Sequence, residues 1–396
     1  MTSTADHTPV LNSRRRFVHL LGGGIVLAAA GGAASGCSTA LPGAAVQPWQ
    51  NPGAETDLRR FMLAHALLAP NPHNRQPWIA DLRDPARIHL VCDGERLLPE
   101  TDPFGRQILI GCGAFIELAV IAAAQRGVAV SVAAFPNGAP GSTDLPRGTR
   151  VATLTLGAPG SAAVDPLFAQ IVRRHSAKSA YANGRPLPAA LPAAWVNTAK
   201  ALDLQAGLVS AEASMAALRR ITREAYEIEC VTARTWLESA RLMRIGPGAI
   251  ASHRDGISIN GSFPRMMHAV GIFDPMEVPQ RGAASLQRVM DRWVPFETGS
   301  GYLWLAGTDN TRATQLAAGR AYVRLHLQAT AAGVDMHPLS QALQEFPEVR
   351  GPYQALHREM GVDPSRGPVQ MLARVGYALA PGGPSPRREM ASLLRT

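Results

Sequence analysis

Apolar positions along the chain follow two rhythms, one of three to four residues and one of two, interrupted by stretches rich in glycine and proline. Leu58, Phe61, Met62 and Leu68, with His65 among them, share one helical stripe that begins after Thr56. The run "APNPHNRQPW" (69–78) ends that stripe, because three prolines in ten residues forbid a helix and fix a stiff loop. Strand-like "ARIHLVCD" (86–93) follows, then a long helix from about Asp102 to Arg126. "VAVSVAAF" (128–135) and "TRVATLTL" (149–156) predict strands. Next comes a helix over 165–174, with Asp165 as its cap and Pro166 at its first position. A strand in "LDLQAGLVS" (202–210) and long helices between Ala211 and Met243 come after it. Residues 244–275 show no periodicity and predict the longest irregular region, either a cover over a site or a disordered insert. "GYLWLAG" (301–307) predicts a buried strand, Asn310 to Gly333 a helix, and "VQMLARVGYA" (369–378) a further strand.

Two of the helices resemble each other. "CGAFIELAVIAAAQRGVAV" (112–130) and "AGRAYVRLHLQATAAGVDM" (318–336) share a glycine, an apolar stripe and a second glycine. Gly113 corresponds to Gly319 and Gly127 to Gly333, at the same spacing of 206. Duplication explains the match; so does convergence of two buried helices that each end in glycine.

The first residues read differently from the rest. "SRRRFVHLL" (13–21) sets Ser13, Arg14, Arg15 and Phe17 in the pattern of a twin-arginine export signal. A Gly/Ala-rich apolar run, Val18 to Ala34, then leads to "ASGC", a lipobox-like ending at Cys37. Residues 1–37 are therefore a signal, with Cys37 as the lipidation site or with non-lipidated cleavage nearby. That implies the Tat machinery as partner and a periplasmic location, free or as a membrane-anchored lipoprotein. Residues 38–55 predict a linker.

Composition narrows the rest. The chain has 396 residues, 46% of them hydrophobic, enough for a large core or two domains. Its formal charge of +9 becomes +7 without residues 1–37, a surplus that suits an anionic ligand or a membrane surface. No dense Lys/Arg stripe with interleaved aromatics occurs, which argues against nucleic acid. Cys92, Cys112 and Cys230 are far apart without a CxxC pair, so neither a disulfide framework nor a metal site is expected.

The chemistry gathers in "IVRRHSAKSAY" (171–181). Arg174, His175, Ser176 and Lys178 together suit a phosphate or a ring edge rich in acceptors; a solvated basic turn is the other reading. With "APNPHNRQPW", this "RHSAK" segment resembles the nitroreductase family of FMN proteins, in which an Arg-His-Ser-x-Lys segment and a Ser-Pro-Ser-x-x-Asn-x-Gln-Pro-Trp loop hold the flavin. The resemblance implies cofactor contacts at Arg174, His175, Ser176 and Lys178, and at Pro70, Asn71, Pro72, Asn74 and Gln76. Pro77 and Trp78 would fix the loop, and His73 and Arg75 would be loop surface. Asn71 and Pro72 stand where serines are common. "GVDMHPLSQAL" (333–343) resembles the turn that meets the flavin N5 edge, implying Pro338, Leu339, Ser340 and Gln341, with Ser340 in place of an acidic residue. "SPRREM" (385–390) resembles the C-terminal segment whose basic residue reaches the phosphate, hence Arg387 or Arg388.

One loop lies in the first part of the chain and "RHSAK" in the second, as in the tandem-fused, Acg-like branch of the family. The fold implied is α+β and nitroreductase-like, two tandem halves (56–160 and 161–396) forming a single-chain pseudo-dimer around one FMN, with 244–275 as a lid. The function implied is an exported FMN-dependent oxidoreductase reducing nitro, quinone-type or other organic acceptors. NAD(P)H or another donor would reduce the flavin, which carries the chemistry with no catalytic side chain. A flavin-binding storage protein without turnover is the alternative.

Overall fold

The computed structural model describes residues 39–395, so the twin-arginine pattern and Cys37 lie outside the described residues. In chain order the first elements are α1 (Gly43–Val46), α2 (Leu58–Ala66), β1 (Trp78–Asp81), β2 (Arg87–Cys92), α3 (Arg106–Gln125), β3 (Val128–Ala134) and β4 (Arg150–Pro159). Then come α4 (Leu191–Lys200), β5 (Gln205–Val209), α5 (Glu212–Val231), α6 (Ala233–Arg241), β6 (Met243–Ile245), α7 (Gly246–His253), β7 (Ile257–Ile259) and α8 (Ser262–Ala269). The last are α9 (Ala284–Asp291), β8 (Gly301–Ala306), α10 (Arg312–Ala331), β9 (Asp335–Pro338), α11 (Arg350–Met360) and β10 (Val369–Gly376).

The strands build two antiparallel four-stranded sheets, ordered β1-β2-β4-β3 and β5-β8-β10-β9. Each sheet is thus ordered first, second, fourth, third, with its long helix, α3 or α10, between the second and third strands. The α+β class expected from the apolar rhythms is what the chain adopts. The helix expected over 310–333 runs from Arg312 to Ala331, and the one over 102–126 from Arg106 to Gln125.

These two helices cross at their glycines. A Cβ on Gly113 would lie 2.0 Å from the Leu316 carbonyl oxygen, and one on Gly319 would lie 1.9 Å from that of Ile110. Ile110 stands to Leu316 as Gly113 stands to Gly319, so the contact is reciprocal, as across a two-fold axis. Only glycine lets the backbones approach this closely. The N-terminal arginines of the helices, Arg106 and Arg312, keep the same spacing, and both are buried. Arg106 reaches across to the Leu343 and Val369 carbonyls and to Glu345. Arg312 reaches back to the carbonyls of Phe104, Gly141, Ser142 and Asp144. Each helix therefore grips the other half through a guanidinium that saturates carbonyls, and Glu117 adds pairs to Arg320 and Arg324.

Three expectations need correction. Residues 38–55 are not a bare linker: α1 and the turns after it bury Ala45, Trp49 and Pro52. Residues 165–174 form a tight turn, not a helix. Their backbone bonds are mostly of the i→i+3 kind, and Asp165 is drawn to Arg324 at 2.8 Å. Residues 244–275 contain β6, β7, α7 and α8; Gly246 and Gly256, with φ of 81° and 72°, bound α7 and β7 rather than dissolving them. The last residues return to the first sheet, where Ala80 donates to the Leu393 carbonyl and accepts from Arg395, both at 2.9 Å.

Candidate functional site

The proline-rich loop between α2 and β1 is held in a shape its residues would not choose. His73, Asn74 and Gln76 have φ of 45°, 50° and 52°, left-handed values rare outside glycine. Side-chain hydrogen bonds impose them. Asn71 accepts from the Gln76 backbone N–H at 2.7 Å and donates to the Ala69 carbonyl. Gln76, fully buried, donates to the Arg254 carbonyl at 2.9 Å and accepts from the Arg388 N–H at 2.8 Å. Asn74 donates to the Pro386 carbonyl and accepts from Arg387. Arg75 is no loose surface group, since it packs beside Asp255 and donates to the Glu95 carbonyl.

"RHSAK" follows the turn at 168–170 and runs beside this loop. The Arg174 guanidinium is buried and donates to the Leu68 carbonyl at 2.8 Å, while its Nε has no partner. Arg387, equally buried, donates to the carbonyls of Leu67, Leu68 and Ala69, the C-terminal turn of α2 and its exit. Trp49 lies beneath both, its ring 5.9 Å from the Arg174 guanidinium and 5.1 Å from that of Arg387. His175 packs on the same indole at 4.9 Å. Among the described residues no carboxylate pairs with either arginine. Burial lowers Arg174 to about 10; burial and then Arg174 lower Arg387 to about 9. Burial, then the two arginines, take His175 to about 4. Two desolvated cations without an anion make a site that an anion would stabilise.

Lys178 is open to solvent, yet enough protein surrounds it for desolvation to lower its pKa. It therefore lines a recess rather than an outer face. It contributes to lowering both His73 of the loop and His337 of β9, after burial in each case, which places it between those segments. His73 falls to about 4, and its buried Nδ1 has no partner. Ser176 bridges Met336, so "RHSAK" extends the edge of β9 and leads to the turn Pro338–Gln341. In that turn Leu339 is buried and donates its N–H to Leu372, while Ser340 and Gln341 are half-buried.

Behind the turn lies Glu229 of α5, buried and bonded to the Gln344 amide at 3.1 Å and to Gln341. Burial raises its carboxyl to about 7. The folded state then holds a proton that the unfolded chain has lost above its ordinary 4.5, so stability declines as pH rises from about 4.5 to 7. Between pH 5 and 8 the parent is expected to lose about 2–3 kcal/mol more stability than Glu229→Gln, measured by urea unfolding. Equal losses would mean that Glu229 is ionised in the fold.

A cavity of about 440 Å³ lies elsewhere, lined by Asn310, Gln344, Glu345, Phe346, Arg350 and Tyr353. It lacks unpaired buried cations, and Glu345 there is already bound to Arg106. Chemistry rather than volume places the candidate site at the arginines.

The structure thus gathers Arg174, His175, Ser176 and Lys178, the loop Pro70–Gln76, the turn Pro338–Gln341 and Arg387. Two expected contacts have other duties. The Asn71 amide is spent within its own loop, and Arg388 donates to the Gln76 and Ser392 carbonyls. Trp49 was missed; its only signal was an isolated tryptophan in a Gly/Pro-rich stretch.

No family model matches the chain. A Mycobacterium tuberculosis H37Rv protein named "Putative NAD(P)H nitroreductase Rv3131" is 28% identical over 361 residues, covering 87% of this chain and 92% of its own. Another from that strain, "Putative NAD(P)H nitroreductase acg", is 38% identical over 82 residues, covering 21% of this chain and 24% of its own. The Mycobacterium smegmatis FMN-dependent nitroreductase NfnB, solved with NADPH, superposes at a TM-score of 0.36 with 19% identity, covering 57% of this chain and 96% of its own. The FMN and NADPH-dependent NfnB of sphigopyxis sp. strain HMH gives 0.37 with 15% identity, covering 59% and 99%.

Proposed function

We propose that this chain is an exported, FMN-dependent oxidoreductase of the nitroreductase kind, in which two fused halves form one flavin site. The carrying observation is the pair Arg174 and Arg387, buried and without a carboxylate, with an orphaned Nε between loop and strand edge. A phosphate dianion fits that pair, and the chemistry of Ser176 and Asn74 suits the same group. Lys178, between the loop and the Pro338–Gln341 turn, is placed for the ring end. Similarity to Rv3131 over most of both chains supports the reading and suggests NAD(P)H as donor, with nitro or quinone-type compounds as acceptors. When bound, the flavin supplies hydride and single-electron transfer; the protein binds it, orients it and limits access to it.

One FMN per chain is expected, measured by acid release and absorbance. Two per chain would defeat the fused-dimer account. A second reading, sequestration, is favoured by the latch over the loop: the Arg254 carbonyl holds Gln76 while its guanidinium pairs with Glu389. Anaerobic mixing with NADH and NADPH separates the two, because a turnover enzyme bleaches within the mixing experiment and a latched store does not.

Export rests on "SRRRF" and "ASGC". Replacing Arg14 and Arg15 by lysine is expected to leave the protein in the cytoplasm. Cys37→Ser should free it from the membrane fraction without blocking export, as cell fractionation would show. Normal export of the double-lysine form would exclude the twin-arginine route.

A further inference from the structure

Exposed large apolar side chains occur singly at Val164, Val172, Val294 and Leu379, but five others, Phe263, Met266, Val270, Ile272 and Met276, fall within one short segment. Phe263 is 65% exposed and Ile272 62%, and α8 buries none of its residues. These side chains are not frayed. The Ile272 and Phe273 N–H groups both bond the Met267 carbonyl, at 2.8 and 3.0 Å, and His268 Nδ1 lies 2.9 Å from the Phe273 carbonyl. The helix end is thus folded back on itself with its apolar side chains outward. A clustered apolar surface of this kind has no folding role and marks an interaction.

The nature of the partner follows from what surrounds it. A helix that buries nothing stands proud of the fold, a shape suited to a yielding surface rather than to a fitted groove. Arg292 lies 5.6 Å from the Phe273 ring at the edge of the patch, and Arg288 nearby is exposed. The N-terminal end of the folded unit emerges beside this segment, because α1 packs on α7, which leads through β7 into α8. Cys37 precedes Leu41 by four residues, a reach of about 14 Å if the chain is extended. An anchor there would hold this side of the molecule at a bilayer.

We propose that Phe263–Met276 is a bilayer contact, with α8 lying in the membrane interface and its arginines at the headgroups. The proposal does not depend on the flavin reading. The test is co-sedimentation of the full chain with vesicles of phosphatidylethanolamine and phosphatidylglycerol. The parent is compared with Phe263→Ser/Ile272→Ser and with a control, Val164→Ser/Leu379→Ser, all with the same N-terminus. Circular dichroism checks the fold, which should persist because α8 buries nothing. The α8 variant is expected to partition about tenfold or more weakly, and the control like the parent. Equal partition of all three overturns the proposal. So does unchanged partition with altered size-exclusion behaviour, which would assign the patch to a second copy. Unchanged partition with faster loss of FMN also overturns it, by making the patch a cover for the site.

Discussion

Arg387→Ala and Lys178→Ala are expected to lose FMN alike but to differ sharply in stability. Each removes a cation from the recess, and a charge-assisted hydrogen bond contributes about 1.5–3 kcal/mol, so affinity should fall about ten- to a hundredfold in either variant. Lys178 accepts no structural duty in the fold: no ion pair or hydrogen bond holds it among the described residues. Its loss should leave the unfolding midpoint of the cofactor-free protein nearly unchanged. Arg387 instead saturates the carbonyls of Leu67, Leu68 and Ala69 and binds Asn74. Removing it strands several buried acceptors at once, for an expected loss of about 3 kcal/mol or more. Retained FMN after dialysis and urea unfolding of the apo-forms measure the two effects. Full flavin retention by Lys178→Ala would return "RHSAK" to a solvated turn. Equal stability of the two variants would deny Arg387 its role as a clamp.

Gly319→Ala is expected to be still more damaging to the fold. The added methyl would sit 1.9 Å from the Ile110 carbonyl oxygen and 2.9 Å from the Ala114 nitrogen, both backbone atoms with no rotamer to relieve the clash. The helices must part, which would loosen the reach of Arg106 and Arg312 as well. A loss of about 3 kcal/mol or more, or failure to accumulate as soluble protein, is expected. Gly113→Ala should behave the same way, because its clash with the Leu316 carbonyl is the reciprocal contact. Gly333→Ala is the informative comparison. Nothing lies within 4 Å of its Cβ position, so only its positive φ of 67° opposes the change, at about 1 kcal/mol. Similar unfolding midpoints for Gly319→Ala and Gly333→Ala would show that the helices tolerate separation.

The features legible in the sequence were those carried by short, local patterns. The two long helices announce themselves because their stripes are nearly continuous. The glycine pair is visible because close approach admits no other residue. "RHSAK" and the Gln-Pro-Trp loop stand out for the same reason: several uncommon residues sit at fixed spacing. Three features were hidden, each set by distant partners. Asp165 reads as a helix cap, yet its pairing with Arg324, far along the chain, accompanies a tight turn instead. Gly246 and Gly256 read as loop, although their positive φ lets the chain turn between short regular elements. Arg387 reads as one of two interchangeable tail arginines; only the α2 carbonyls distinguish it from Arg388.

The pairing of the chain's two ends has a consequence for biosynthesis. Trp49 donates to the Ser385 carbonyl across 336 residues, and Ala80 closes its strand edge on Leu393 and Arg395. A ribosome makes these partners at opposite ends of its task. Throughout elongation the first sheet waits with an open edge, the loop at Asn74 lacks its arginine, and the indole of Trp49 has nothing to cover it. Contacts so far apart in sequence form late and slowly. Cofactor capture therefore belongs after translation ends, to a finished chain that has not yet left the compartment where the nucleotide is made. A stop codon lost or gained in the final dozen residues would leave most of the polypeptide intact and still deny it a prosthetic group.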